Sequence, residues 1–269
     1  MTLKHLLAGL ALAGLVGACA PTPELIESEP EAKVETLPPE VLRMYGGLHD
    51  GDVWIEPVDP KYLSMETIRQ EVDYWTAERA GTIIVDPWDR YLYLVKTGDR
   101  AMRYTVGVGE AGRDFSGDAT IPYGREWPRW TPTPNMLNED PDTYEPHRSG
   151  MSGGVDNPLG ARALYLHRGG KDTLYRIHGT PQPWSIGTAS SSGCIRMFQQ
   201  DVIDLYERVN KGRTRVTVLR EDQAGQGTHP PGTAPNLVTN TQIPMAEAQT
   251  LQRMADDDGL TLDMLLGGG

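Results

Sequence analysis

The stretch GTIIVDPWDRYLYLVKTGDRAMRYTVGVG, residues 81–109, decides the fold class. Thr82-Ile83-Ile84-Val85-Asp86 is largely β-branched, Pro87-Trp88-Asp89-Arg90 has turn chemistry, and Tyr91-Leu92-Tyr93-Leu94-Val95 reads as a second strand. Gly98-Asp99 makes another turn and Tyr104-Thr105-Val106-Gly107-Val108 a third strand. Short β-branched and aromatic runs punctuated by Pro, Gly and Asp predict an antiparallel meander. Further along, residues 161–167, 174–178 and 214–219 read as strands. Residues 201–210 place Val202, Leu205, Tyr206 and Val209 on one helical face, with Asp201 as N-cap and Gly212 as stop. Residues 109–160 are dense in Pro, Gly and Trp and read as a long irregular stretch, of the kind that is functional or disordered. The expectation is a mostly β fold with a short helix (α+β), its site on the loop between the last inner strands and the helix.

The rest of the chain frames that domain. Its 269 residues suffice for one domain with a full core plus tails. With 38% hydrophobic residues, 30 Gly, 21 Pro and only 2 Phe, the composition suits a loop-rich β or α+β protein better than a helical bundle. A formal charge of -12 argues against nucleic acid as a partner, because phosphate contacts need Lys and Arg. At the N-terminus, Lys4 and His5 precede an apolar run from Leu6 to Val16. That run is too short to span a bilayer and fits the apolar part of a cleaved secretory signal. Val16-Gly17-Ala18-Cys19 resembles a bacterial lipobox, which implies a lipoprotein signal peptide over 1–18 and a membrane-anchoring lipid on Cys19. Ala20, rather than Asp, after that cysteine implies the outer membrane of a Gram-negative cell and a periplasmic, lipid-anchored protein. Residues 19–43, rich in Pro and Glu, read as a flexible tether. Residues 44–80 read as an N-terminal extension, 81–220 as the main domain, and 221–269 as a low-complexity tail with a short helical pattern over 245–254.

Only two cysteines are present. If Cys19 carries lipid, Cys194 has no intramolecular disulfide partner, and a lone thiol in an oxidising compartment invites a functional explanation. A thiol nucleophile needs a base and donors for a developing oxyanion. His178 is the natural base, at a predicted strand end sixteen positions before Cys194. Gly193 permits close backbone approach, and the Gly193 and Cys194 N–H groups are oxyanion-hole candidates. Arg196 has three open roles: favouring the thiolate, binding a substrate carboxylate, or bracing the loop.

His178-Gly179-Thr180, a spacer, then Ser191-Ser192-Gly193-Cys194-Ile195-Arg196-Met197 resembles the L,D-transpeptidase catalytic domain, the YkuD or ErfK/YbiS/YcfS/YnhG family. Asn157-Pro158-Leu159-Gly160-Ala161-Arg162-Ala163-Leu164 and the meander from Gly81 to Gly109 resemble it too, so the likeness spans roughly 81–219. Ser192 departs from the His many members carry before the motif Gly, which leaves His178 as the base. The resemblance implies a YkuD-like β-sandwich, Gly179 as the carbonyl that orients the His178 ring, Ser191 and Gly193 in support, and no metal or organic cofactor. It further implies that Cys194 attacks the L-centre carbonyl of diaminopimelate in a peptidoglycan tetrapeptide stem. The terminal D-Ala leaves, protonated by His178, and an amine takes the acyl group from the thioester. That amine belongs to a second stem, to a lysine of a wall-anchored lipoprotein, or to a free D-amino acid. With water as acceptor the same site is an L,D-carboxypeptidase or a wall–lipoprotein hydrolase.

Other features carry weaker signals. Trp127, Trp130, Trp184 and Tyr123 read either as walls of a substrate cleft or as ordinary loop packing. His147 and His167 read as surface residues. The His, Cys and carboxylate positions lack metal-ligand spacing, and Gly153-Gly154 and Gly169-Gly170-Lys171 read as turns. A non-catalytic wall-binding lipoprotein is the alternative from another class. The intact His178 and Cys194 and the lack of wall-binding repeats speak against it.

Overall fold

The computed structural model describes residues 37–109, 115–189 and 193–232. The signal segment, Cys19, most of the tether, Ser191, Ser192 and the helical pattern over 245–254 lie outside them. Among the described residues no helix is long and apolar enough to cross a membrane.

Thirteen strands are described, in chain order β1 (Leu48–Asp50), β2 (Val53–Ile55), β3 (Gln70–Asp73), β4 (Ile83–Asp86), β5 (Tyr91–Val95), β6 (Arg100–Thr105), β7 (Gly107–Val108), β8 (Gly117–Ile121), β9 (Gly124–Glu126), β10 (Arg162–Arg168), β11 (Lys171–Gly179), β12 (Ile195–Met197) and β13 (Thr214–Val218). β1 and β2 form a separate hairpin. The others make one sheet in the order β3-β6-β5-β4-β13-β8-β10-β11-β12-β7, with β9 on β10. β6 and β7 lie near opposite ends of that path yet only Val106 separates them in the chain. The sheet must therefore curl back on itself, and its inner faces enclose the main core. Ile83, Val85, Leu92, Tyr104, Leu164, Leu166, Ile177, Ile195, Met197 and Val216 pack there, all nearly or fully inaccessible. Alternation puts Ile84, Tyr93, Val95 and Ala101 on the other face, in a smaller cluster with Tyr74 and Leu219. Both faces of the meander are thus buried, which is why its strands read as continuous apolar runs.

The 83–86 and 91–95 strands and their antiparallel pairing match expectation. The third strand begins earlier, at Arg100, because Ala101 and Met102 already pair with β5. The stretch 109–160 is less irregular than its composition suggests. It contains β8, which pairs with β13, then β9 and the short helices Pro134–Glu139 and Pro141–Tyr144, each capped by the side chain ahead of it. The main helix is Gln199–Arg208, two residues ahead of its sequence-based bounds, with Phe198 rather than Asp201 at the N-cap. It packs on β10 and β11 through Val202 and Leu205.

Two terminal boundaries differ from expectation. Residues 39–43, assigned to the tether, lie in the helix Pro39–Met44, whose Val41 is buried. Residues 221–232, assigned to the tail, pack on the domain: Trp75 N–H donates to the Gly227 carbonyl (2.8 Å) and Gly225 N–H to Asp86 Oδ2 (2.7 Å). The extension has its own apolar cluster, in which Val41, Tyr45, Val58, Leu63 and Ile68 meet Ile186 and Phe198.

Asp201 is instead the polar tie between extension and helix. Wholly buried, it accepts from Tyr45 Oη (3.1 Å) and from Arg69 Nη1 (2.8 Å), while Arg69 N–H donates to the same tyrosine oxygen (2.5 Å). Removing one partner of a buried pair leaves the other charge uncompensated. Asp201→Ala is expected to lower stability by about 3–5 kcal/mol in denaturant unfolding, and a loss under about 1 kcal/mol would show that the tie is not needed.

Candidate active site

β11 and β12 pair in parallel, with Ile177 opposite Ile195, His178 opposite Arg196 and Gly179 opposite Met197. Ile177, Ile195 and Met197 enter the core. Side chains alternate, so Arg176 and His178 on β11 and Arg196 on β12 point to the opposite face. Cys194, one step before β12, falls opposite Arg176 and shares that face, diagonal to His178. The ladder thus brings together two residues sixteen positions apart, with Ile186 of the loop between them fastened in the extension's apolar cluster.

His178 is buried, and its Nδ1 lies 2.6 Å from the Gly179 carbonyl. A carbonyl only accepts, so Nδ1 carries the hydrogen and Nε2 keeps a lone pair. Gly179 has a steric reason to be glycine: a Cβ there would lie 2.3 Å from Gln199 Oε1 and 3.0 Å from Val202 Cγ1. Gln199 Oε1 also accepts from Ala161 N–H (2.9 Å), tying the helix start to β10 and β11. The Pro158 carbonyl lies near the histidine ring and favours its protonated form. Its loop is held by buried Asn157, whose Nδ2 donates to the carbonyls of Pro128 (3.0 Å), Ser152 (2.9 Å) and Met151 (3.2 Å). Gly193, just before the thiol, has φ +113°, a conformation that L side chains rarely adopt.

Burial dominates the electrostatics. It pushes the His178 imidazole down to about 4; the Gly179 and Pro158 carbonyls oppose this and the Arg196 and Arg176 charges add to it. Burial also pushes the Cys194 thiol up, against a backbone hydrogen bond from Arg176 and the charges of Arg176 and Arg196. At neutral pH the resting pair is therefore a neutral imidazole and a neutral thiol. Arg196 Nη1 donates to Gln182 Oε1 (3.3 Å), and no carboxylate pairs with it among the described ion pairs. Arg176 is clamped by Asp172 through Nη1–Oδ1 (2.7 Å) and Nη2–Oδ2 (2.8 Å).

The structure gathers Cys194, His178, Gly179, Gly193 and Arg196. Trp184 is 57% exposed beside Gln182 on the loop before the thiol. Tyr123 is on the surface, stacked on Tyr165 at 4.5 Å. Trp130 is buried within its own loop against Tyr144 and His147, so it is loop packing rather than an open cleft wall. Trp127 is half-buried near Asp50 of the β1–β2 hairpin. His147 and His167 are half-buried rather than fully on the surface. Among the described residues no group of three or more His, Cys, Asp or Glu gathers as a metal ion needs. Sequence reasoning missed Gln199 and Arg176 and gave Asn157 no role beyond its place in a family-like stretch, and the structure shows Asn157 tying the loop together. The alternation Arg176-Ile177-His178 leading into Gly179 was the available hint for Arg176.

A family model described as the L,D-transpeptidase catalytic domain, YkuD, matches residues 80–218. The probable L,D-transpeptidase ErfK/SrfK of Escherichia coli K12 is 33% identical over 162 residues, covering 60% of this chain and 50% of that one. The probable L,D-transpeptidase YbiS of the same strain is 31% identical over 192 residues, covering 71% and 60%. This chain thus spans half to three-fifths of the length of these curated relatives. Among solved structures, one from Brucella melitensis, described as a probable carnitine operon oxidoreductase, is 51% identical, covers 57% of this chain and 95% of that one, and superposes with a TM-score of 0.41.

The neutral resting pair has a direct consequence. Iodoacetamide captures the thiolate, so alkylation of Cys194 should rise through one inflection above pH 9.0, the unshifted thiol value. An inflection below about pH 7, as an imidazolium–thiolate pair gives, would contradict the assignment.

Proposed function

The chain belongs to the L,D-transpeptidase catalytic-domain family, and from that premise we propose that it is a peptidoglycan L,D-transpeptidase with Cys194 as nucleophile and His178 as base. The observation that carries this reading is the 2.6 Å contact from His178 Nδ1 to the Gly179 carbonyl, which leaves Nε2 as base on the face that bears Cys194. As Cys194 Sγ attacks the diaminopimelate carbonyl, Nε2 takes the thiol proton. The oxyanion is held by the Gly193 and Cys194 N–H groups. The imidazolium formed is stabilised by the Gly179 carbonyl at Nδ1. The tetrahedral intermediate collapses, the C–N bond to D-Ala breaks, and the leaving amine takes the proton from His178. An acceptor amine then attacks the thioester, gives its proton to His178, and restores the thiol. A second stem or a lipoprotein lysine supplies that amine. If water takes its place, the same acyl-enzyme gives hydrolysis.

Incubation of the protein with meropenem should add one carbapenem mass to the intact chain. Cys194→Ala should abolish the adduct, and His178→Ala should slow its formation by about 10²–10⁴-fold, the usual range for a lost general base. No adduct on the wild type, or an adduct that survives Cys194→Ala, would falsify the assignment.

A further inference from the structure

The face that bears Cys194 continues across the sheet. β10 pairs with β11 so that Tyr165 lies opposite Arg176 and Ala163 opposite His178. β9 pairs with β10 so that Arg125 lies opposite Ala163. Directly opposed residues share a face, and Leu164, Leu166 and Ile177 are committed to the core. One row therefore runs from Cys194 through Arg176 and Tyr165 to Tyr123, with Arg125 at its far end. The contacts along it are close. The Arg176 guanidinium lies 4.2 Å from the Tyr165 ring centre, Tyr165 and Tyr123 stack at 4.5 Å and 25°, and Arg125 lies 5.7 Å from the Tyr123 ring centre.

Resting on the reading above, we propose that this row is the subsite for the extended, carboxylate-bearing part of the stem peptide whose carbonyl Cys194 attacks. Three features carry it. The first is length. Strands lie about 4.8 Å apart, so the row from Cys194 to Tyr123 spans roughly 15 Å. An extended peptide advances about 3.3–3.6 Å per residue, so roughly four residues fit along it. The second is charge. The chain carries a formal charge of -12, yet on these four strands Arg125, Arg176 and Arg196 share the face of the thiol with Asp172 as their carboxylate. Such a local reversal of sign matches an anionic ligand. The third is rigidity. Asp172 grips Arg176 through both oxygens and Tyr165 lies under its plane, so little side-chain entropy remains to be lost on binding. Tyr123 is 36% exposed and presents its ring at the open end.

The test uses Tyr123→Ala, Arg125→Glu and the double variant of the whole protein. KM and kcat are measured with a disaccharide-tetrapeptide, and acylation by meropenem is followed beside them, since that compact ligand does not extend along the row. The double variant should raise KM for the muropeptide at least about fivefold while meropenem acylation stays within about twofold. Arg125→Lys and Tyr123→Phe should keep KM near the wild-type value. An unchanged KM overturns the subsite, and so does an equal loss with both ligands, which would mark a disturbed active site. A wild type that takes no meropenem adduct refutes the parent function instead, and the subsite with it.

Discussion

The parallel ladder between β11 and β12 is the constraint on which the site depends. Its register commits Ile177, Ile195 and Met197 to the core, and alternation then leaves Arg176, His178, Cys194 and Arg196 no face but the other. A slip of one residue would put His178 into an apolar core and the isoleucines at the surface. The apolar residues of the motif are therefore as necessary to the placement of these side chains as the polar ones. Parallel pairing also explains the spacing of the motif. It requires a crossover between His178 and Cys194, and the loop that makes it is fastened at Ile186.

Around this ladder the structure adds supports that act through the backbone. Gly179 does two things at once: its carbonyl fixes the His178 tautomer, and its missing side chain admits Gln199. Asn157 gathers three carbonyls of the long loop and so places Pro158 at the histidine ring. The extension reaches the same region from outside the family match, with Tyr45 edge-on to Phe198 at 5.7 Å and bonded to Asp201. Burial is the common result, and it favours a neutral His178 and a protonated Cys194 at rest.

Much of this was legible in the sequence. The meander announced itself because its strands are β-branched and its turns carry Pro, Gly and Asp. His178, Gly193 and Cys194 were legible as candidates because few residue types can serve as base, close-approach backbone and nucleophile, while Gly179 was legible only through the family resemblance. Other parts were hidden for physical reasons. Asp201 looks like an N-cap because caps are commonly Asp, but a long-range bond to Tyr45 and the ion pair with Arg69 claim it. The helix Pro39–Met44 sits in a Pro- and Glu-rich run, and its order comes from tertiary burial of Val41, which local composition does not encode. Arg176 looks like any strand arginine until the register places it opposite Cys194. The loop of 109–160 concealed β8, whose partner β13 lies about a hundred residues away.

If Cys194 is the nucleophile, a stem acylates it covalently while D-Ala leaves. Rapid-quench mass spectrometry of the protein with a disaccharide-tetrapeptide follows both events at once. A burst of D-Ala equal to the enzyme is expected, matched by a disaccharide-tripeptide adduct on the peptide that contains Cys194. D-Ala release with no adduct, or an undiminished burst in Cys194→Ala, would overturn the acylation of Cys194.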